Sequence, residues 1–360
     1  MNHILDDMIR REAQLQRVAT FMVNQYINPT AQQLSRDLPS LLIGYSDLNV
    51  TERAQLFSQI RQMTLDQWGG IWSSVDGDWS DIMSQEANFQ YDLYDDFAPE
   101  TLVQLDSVDF PLPKMIVGSE SSVTAGVWAQ FVAANITDTV KQVDGTVQRG
   151  IRDGLTTDEI TRQLRGTYNR RTKQYSGGII TGKQARRAEA LARTGISHHT
   201  NAVRDRFAEE NDDVITDRIF FATLDSRTTT ICLSNHLRKW KIDDKEYPRL
   251  PLHYNERSVY IFKTVGLDPL SGNRPAKGGG KEVGTNNFEQ VSAKVSAEAW
   301  LKRQPRWFVE ESLGVERAKL FLNGNLSIKS MVDVSNRPLT LAELKDTAAG
   351  ARAYRRAGDE

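Results

Sequence analysis

Cysteine and long apolar stretches are the two features that this 360-residue chain most clearly lacks. Its one cysteine, Cys232, excludes an internal disulfide and any site built from several cysteines. No apolar run reaches the roughly 18 residues of a membrane span, and the first residues lack the apolar segment of a secretory signal. The five histidines form no HExxH zinc motif. These absences favour a globular protein that works in a cytoplasm or in a particle assembled there.

Positive charge is absent from a long segment of the first half. No Lys or Arg occurs in residues 62–113, against eleven Asp or Glu, whereas residues 160–193 hold nine basic residues and one acidic residue. The formal net charge of −2 therefore conceals a division, −11 over residues 1–150 and +9 over residues 151–360. Such a division suggests an acidic face for one partner and a basic face for another, although charge runs also simply keep helix surfaces solvated.

Apolar spacing and chain breakers predict an α+β fold that is mainly helical, with a small mixed α/β module around residues 212–265. Hydrophobic residues make up 39% of the chain, enough for a buried core, and the length favours more than one domain. The predicted regions are an acidic, mostly helical N-terminal interaction region (1–112), a basic long-helix region (113–211), a C-terminal module (212–345) and a charged tail (346–360).

The N-terminal part is expected to consist of helices with two interruptions. A first helix over residues 1–25 should stop at Pro29, because proline breaks a helix interior. Residues 68–79 are rich in Trp, Gly and Asp, a composition typical of a packed loop with aromatic anchors. After a boundary near residues 110–113, residues 118–152 are predicted to form a long helix.

The middle of the chain gives clearer signals. Thr156 with Glu159 forms a capping box that predicts a helix start, and residues 182–210 carry an apolar stripe typical of a helix. Residues 175–179 are predicted to form a loop. The remaining predictions are strands near 214–223 and 240–242, a Gly/Lys loop at 274–287, helices at 297–307 and 315–321, and a frayed end at 349–360.

One window of the chain concentrates the residues that could carry chemistry, and its first interpretation is a metal site. Cys232, His236 and His253 would supply three zinc ligands. The nearest candidates for a fourth ligand are the carboxylates of Asp225 and Glu256. Because a second cysteine is missing, the pattern does not favour this interpretation, and we expect no metal and no cofactor.

A second interpretation is a thiol hydrolase built on Cys232 with His253 and Asn255. A thiolate nucleophile needs a neighbouring base and a third group that orients the base. Asn255 lies only two residues from His253, and nothing in the sequence marks Cys232 as lying at a helix N-terminus, where its pKa would fall. The pattern therefore does not favour catalysis by this cysteine.

The favoured interpretation of the window is structural. Asp225 can fix a turn that contains Arg227 and Thr228 through bonds from its side chain to the backbone. A bidentate Asp–Arg pair would specify that turn. Pro251 and His253 can anchor the strand that returns to it.

The same window resembles the Mu F-like family of phage head morphogenesis proteins, or minor head proteins. That family carries an Asp-x-Arg-Thr-x-x-x-Cys segment, complete here, and a later Pro-x-His-x-x-Cys-Arg segment. The matching residues are Asp225, Arg227, Thr228, Cys232, Pro251, His253 and Arg257. Thr229 and Glu256 stand where the family usually has cysteine, which argues further against a metal site. With similar blocks before and after the window, the likeness covers about residues 120–345.

The resemblance implies a minor head protein without catalytic activity, incorporated in few copies inside the capsid near the portal after assembly in the host cytoplasm. Its partners would be the portal protein and other head proteins, and it would assist head assembly, DNA packaging or genome delivery. The motif residues would be structural.

We further expect a basic group to face packaged double-stranded DNA or an acidic partner in the head. Its members are Arg162, Arg165, Arg170, Arg171, Lys173, Arg186 and Arg187. Two alternatives stay open: a cysteine- or metal-dependent hydrolase that uses Cys232 and His253, and a DNA-binding protein that is not part of the virion.

Overall fold

Helices dominate the structure, a computed structural model that describes residues 4–95, 102–103, 115–117, 124–266 and 268–358. The main helices are α1 (Ile4–Met22), α2 (Asn28–Leu41), α3 (Val50–Asp95), α4 (Trp128–Arg152), α5 (Thr157–Arg165), α6 (Ala185–Glu210), α7 (Thr230–Asn235), α8 (Ala297–Leu301), α9 (Arg306–Leu313), α10 (Val315–Leu322), α11 (Leu341–Asp346) and α12 (Ala348–Ala357). The mainly helical α+β prediction is confirmed.

The strands form small antiparallel sheets. They are β1 (Met115–Val117), β2 (Thr124–Gly126), β3 (Gly166–Asn169), β4 (Gln174–Gly177), β5 (Ile215–Phe221), β6 (Lys239–Lys241), β7 (Val259–Thr264), β8 (Asn273–Gly279) and β9 (Asn286–Ser292). Strands β1–β2, β3–β4 and β8–β9 pair as hairpins, and β5 lies between β6 and β7 in a three-stranded sheet. This sheet and α7 make up the module predicted around residues 212–265.

The first helix does not stop at Pro29, so that prediction is wrong. A π-helical turn at Val23–Ile27 joins α1 to α2, and Pro29 lies in the first turn of α2. A proline is tolerated there because the N–H groups of a first helical turn have few intrahelical partners to lose.

Residues 68–79 are not a loop but the middle of α3, which has 46 residues and is about 70 Å long. Trp68, Trp72 and Trp79 lie on one side of this helix and are buried. The glycines between them have open space around the position of an added Cβ. Burial of the tryptophan face therefore outweighs the low helix propensity of the glycines.

Other predicted loops contain strands. Residues 175–179 end strand β4 and begin a π-helical turn at Ile179–Gln184, and residues 274–287 form most of the β8–β9 hairpin. The predicted frayed end contains helix α12, whose buried Tyr354 packs into the C-terminal core. In each case, stability comes from strand pairing or from packing against other elements, which the composition of the segment alone does not signal.

Several local predictions are confirmed. Thr156 and Glu159 form the capping box that starts α5, and α6 covers most of residues 182–210. The predicted 118–152 helix is confirmed only in part: α4 covers residues 128–152, whereas residues 124–126 form strand β2. The predicted 297–307 helix is divided into α8 and α9, whereas α10 agrees with prediction. The boundary near residues 110–113 lies outside the described residues.

Three hydrophobic cores hold these elements together. The first joins the end of α1 with α2, α4, α5, most of α3 and the first half of α6. The second joins the start of α1 and the ends of α3 and α6 with the β6–β5–β7 sheet and α7. The third joins α8, α9, α10, α11 and α12 with the β8–β9 hairpin. Helices α1, α3 and α6 therefore connect the helical part to the sheet module.

A buried ionic cluster ties the same three helices together. The Arg204 Nε atom of α6 lies 2.6 Å from Glu86 Oε1 of α3, and Arg11 Nε of α1 lies 2.8 Å from Glu86 Oε2. Buried charges are costly unless they are paired, so this cluster fixes how the three helices meet. None of the described helices is long and apolar enough to cross a membrane.

Candidate functional site

The candidate site begins at the turn that follows strand β5. Asp225 Oδ1 accepts hydrogen bonds from the Arg227 backbone N–H (3.0 Å) and from the Thr228 hydroxyl (3.0 Å). The Thr228 hydroxyl also lies 2.6 Å from the Thr223 carbonyl oxygen. A hydroxyl has one hydrogen, so it shares that hydrogen between these two acceptors. The predicted Asp–Arg–Thr turn is thus present, and Asp225 organises it.

The arginine partner of Asp225 comes from the second motif segment. Arg257 donates to both carboxylate oxygens, with Nη1–Oδ2 and Nη2–Oδ1 distances of 2.6 and 2.8 Å. Burial would raise the pKa of Asp225, but the contacts with Arg257 and Thr228 outweigh it and lower the pKa. Arg227, which is closer to Asp225 in the sequence than Arg257 is, has an exposed side chain. The turn is therefore locked to the start of β7 by a bidentate ion pair.

Cys232 lies in the first turn of α7, a position that the sequence did not indicate. Thr229 caps the helix by accepting a hydrogen bond from the Cys232 N–H. The thiol is buried, with 2% relative exposure. Its Sγ atom lies 3.0 Å from His253 Nε2 and 3.2 Å from Glu256 Oε1. Burial, and then the nearby Glu256 carboxylate, raise the pKa of the thiol well above its ordinary value.

Two backbone groups orient the side chains opposite Cys232. His253 Nδ1 lies 2.9 Å from the carbonyl oxygen of Tyr254, which can only accept, so Nδ1 carries a proton and, in the neutral ring, Nε2 carries a lone pair. Glu256 Oε2 accepts the backbone N–H of Leu252. Its other oxygen is thereby left facing the thiol. Pro251 is buried at a cis peptide bond just before these residues.

Of the residues that the sequence suggested as metal ligands or catalytic groups, two do not join the cluster around Cys232. His236 is not near Cys232 as a ligand: its Nδ1 accepts the Ala222 N–H (3.2 Å), and its ring packs on the edge of Phe221. Asn255 does not orient His253: its backbone N–H donates to Thr194 of α6 (3.0 Å), and its side chain is exposed.

Glu256 is the residue whose role the sequence missed. Its exposed fraction is only 1%. From the sequence, however, it was interpreted only as a replacement for the family's cysteine or as one of two candidates for a fourth metal ligand. Its spacing of three residues from His253 was the available signal. The spacing alone could not show that His253 and Glu256 lie against α7, because their position depends on how the chain returns from β6 to β7.

The basic group is divided over two places. Arg170, Arg171 and Lys173 lie at the tip of the β3–β4 hairpin, fully on the surface. Arg165 packs its guanidinium over the ring of Tyr175, 4.6 Å from the centroid, and the exposed Arg162 lies on the adjoining α5.

The other two basic residues, Arg186 and Arg187, lie in the first turn of α6 and are exposed. Arg187 forms an ion pair with Asp138 of α4, which partly neutralises it. The hairpin tip is therefore the clearest positively charged surface in this group.

Comparison with known proteins finds no match to a family model, to a curated protein or to a solved structure.

Proposed function

We propose that this chain is a phage minor head protein, a low-copy component inside the capsid near the portal. The proposal starts from the sequence resemblance to the Mu F-like family. The observation that carries it is that the two resembling segments contact each other through their motif residues. Asp225 of the first segment binds Arg257 of the second, and Cys232 lies against His253. A chance likeness of two short segments would not require them to meet in this way.

The charge distribution supports a role beside packaged DNA or an acidic head protein. The exposed tip of the β3–β4 hairpin carries Arg170, Arg171 and Lys173, for which the described residues provide no ion pair. Unpaired basic side chains on a projecting hairpin can neutralise phosphates without reading a base sequence. The acidic α3 would repel DNA, so it suits a protein partner such as the portal or another head protein.

A hydrolase that uses Cys232 and His253 is the enzymatic alternative. The 3.0 Å contact between Sγ and Nε2 favours it, but the buried thiol with a raised pKa opposes it, because a nucleophile needs an accessible thiolate. A phage that carries Cys232→Ser tests the hydrolase. Normal infection by that phage would remove it.

Mass spectrometry of purified particles tests the proposal directly. We expect the chain in particles of the phage that encodes it, at a few copies relative to the major capsid protein, and retained after the tails are removed. Its presence only in the free protein of infected cells would overturn the proposal and favour a DNA-binding protein outside the virion. Capsid proteins from the same particles provide the internal control for copy number.

A further inference from the structure

Three potential metal-binding atoms converge between α7 and the segment before β7. Cys232 Sγ, His253 Nε2 and a carboxylate oxygen of Glu256 all lie within 4.8 Å of one another. They come from two separate segments of the chain, so the cluster is a product of the fold. Zinc accepts this combination of sulfur, imidazole nitrogen and carboxylate oxygen.

The hydrogen-bonding groups of the cluster leave lone pairs that a cation can use. In the neutral ring of His253, Nε2 carries a lone pair, since Nδ1 donates to Tyr254. The Cys232 thiol has one hydrogen and two acceptors in reach, Nε2 at 3.0 Å and Glu256 Oε1 at 3.2 Å. It can donate to only one of them. If the thiol donates to Glu256, the Thr229 hydroxyl, 3.0 Å from Nε2, can donate to His253, so hydrogen bonds can satisfy the metal-free cluster. A divalent cation in place of the thiol proton would instead bind the sulfur and both acceptors together.

The charge of Glu256 is the observation that favours a cation over hydrogen bonds alone. Its side chain is 1% exposed, and within the described part of the chain no Lys, Arg or His forms an ion pair with it. The nearby Arg257 is committed to Asp225. A buried carboxylate without a counter-charge is costly, and coordination of a metal is one of the ways in which proteins compensate it.

The surroundings of the cluster resemble those that hold metal ligands in place. The His253 Nδ1–H is fixed by a backbone carbonyl and the second Glu256 oxygen by a backbone N–H. A cavity of about 20 Å³ adjoins Thr229, Cys232 and His253, which is room for one water molecule. Such a water can complete four ligands.

We propose that Cys232, His253 and Glu256 bind a zinc ion that ties α7 to the segment before β7. The role is structural, because Cys232 and Glu256 are buried, His253 is half-buried, and the ion would replace a thiol proton inside the fold. The proposal differs from the expectation from sequence that the chain has no metal site. It does not depend on the chain being a head protein.

Zinc titration of the purified full chain tests this site. After removal of metals by a chelator, we expect one zinc ion per chain, measured by elemental mass spectrometry, and a higher thermal unfolding midpoint with zinc. Glu256→Gln and His253→Asn should each weaken zinc binding at least tenfold in competition with a chromophoric chelator. They should also abolish the zinc-dependent rise in the midpoint.

The matched control is Glu246→Gln, the same chemical change on an exposed carboxylate between β6 and β7. It should bind zinc like the unaltered chain. Failure of the unaltered chain to bind one zinc ion, or equal binding by the Glu256→Gln and His253→Asn variants, would overturn the site. Circular dichroism of the metal-free variants shows whether they are folded, so a loss of binding is not mistaken for unfolding.

Discussion

Asp225 and Arg257 illustrate how one side-chain pair can hold a turn against a strand. Asp225 also accepts hydrogen bonds from Arg227 and Thr228. The same carboxylate therefore both fixes the turn and forms the ion pair with Arg257. Its side chain is 10% exposed and that of Arg257 is 23% exposed. Water therefore cannot easily replace either partner. Loss of one partner should lower the free energy of unfolding more than loss of a surface salt bridge does.

Removal of Arg257 should destabilise the protein. For Arg257→Met we expect the free energy of unfolding to fall by about 2 to 3 kcal/mol, because Asp225 keeps its burial and loses its cation. Urea unfolding of the variant measures the change. The exposed Arg227→Met is the control and should stay within about 0.5 kcal/mol. Equal effects of the two substitutions would show that the pair contributes nothing specific.

His198 is a second residue whose environment leads to a testable prediction. It is fully buried in α6, and neither ring nitrogen has a hydrogen-bond partner in the described structure. Burial, and then the neighbouring His199, lower the pKa of His198 from 6.5 to about 3. The folded protein thus keeps this ring neutral under conditions in which the unfolded chain would protonate it.

Acidification should therefore destabilise the protein through His198. The contribution of the neutral ring is fully present above pH 6.5 and is lost as the pH falls from 6.5 toward 3, at about 1.4 kcal/mol per pH unit. Between pH 6.5 and pH 5 the loss from this residue is about 2 kcal/mol. His198→Leu should remove this part of the pH dependence in urea unfolding. An unchanged pH slope in the variant would contradict the assignment.

At the scale of elements, the long helix α3 decides the architecture. Its tryptophans belong to the first core, whereas its last turns reach the second, where the Tyr94 hydroxyl accepts the Phe262 N–H of β7 (3.0 Å). An uninterrupted α3 is required for both sets of contacts. The glycines in its middle do not interrupt it, because they lie on faces where no neighbour approaches.

Alanine substitutions test the continuity of α3. Gly70→Ala and Gly77→Ala, both at exposed positions, should each raise the free energy of unfolding by about 0.5 to 1 kcal/mol. A flexible loop would show no such gain. The matched control is Gly195→Ala in α6, where the new Cβ would lie 2.6 Å from Trp128 Cη2. It should destabilise the protein by about 1 to 3 kcal/mol, as overpacking does.

Across the whole molecule, the net charge of −2 describes neither part of the chain. The acidic residues concentrate in α3 and the segment after it, whereas the clearest unpaired basic surface is the β3–β4 hairpin tip. Helix α3 belongs to the first core, and the β3–β4 hairpin contacts α2 and α5 of the same core. The acidic and the basic surface are therefore carried by one group of packed helices. That arrangement suits a protein that bridges an acidic ligand and another partner.

Binding to double-stranded DNA should depend on the hairpin tip and on salt. With Arg170, Arg171 and Lys173 all changed to Gln, we expect weaker DNA retention at low salt. The slope of log affinity against log salt should fall by about 2 to 3 units, near 0.9 per lost phosphate contact. A filter-binding titration of the full chain at several salt concentrations measures both quantities.

The matched control for DNA binding removes three exposed arginines of α12 by the same change to Gln. These are Arg352, Arg355 and Arg356. The two triple variants have equal net charge, so a loss confined to the hairpin variant locates the contact. Equal losses would contradict a specific surface, and no retention of the unaltered chain would favour an acidic protein partner.

How much of this could be predicted from sequence depends on the range of the interaction involved. The capping box of Thr156 and Glu159 acts within one helical turn and was predicted correctly. The helical middle of α3 was missed because its glycines are locally unfavourable to a helix, whereas the burial that stabilises it comes from contacts with α4 and α6. In the candidate site, the turn at Asp225 was predicted, but the partner Arg257 and the role of Glu256 were not assigned.

The sequence by itself determined the mainly helical α+β class, the lack of disulfides and the uneven charge, since composition and short-range spacing fix these properties. Only the tertiary structure decided that residues 68–79 are helical and that Cys232, His253 and Glu256 form one cluster. The physical reason is that contacts between distant segments exist only after the chain has folded, and their burial then overrides local preference.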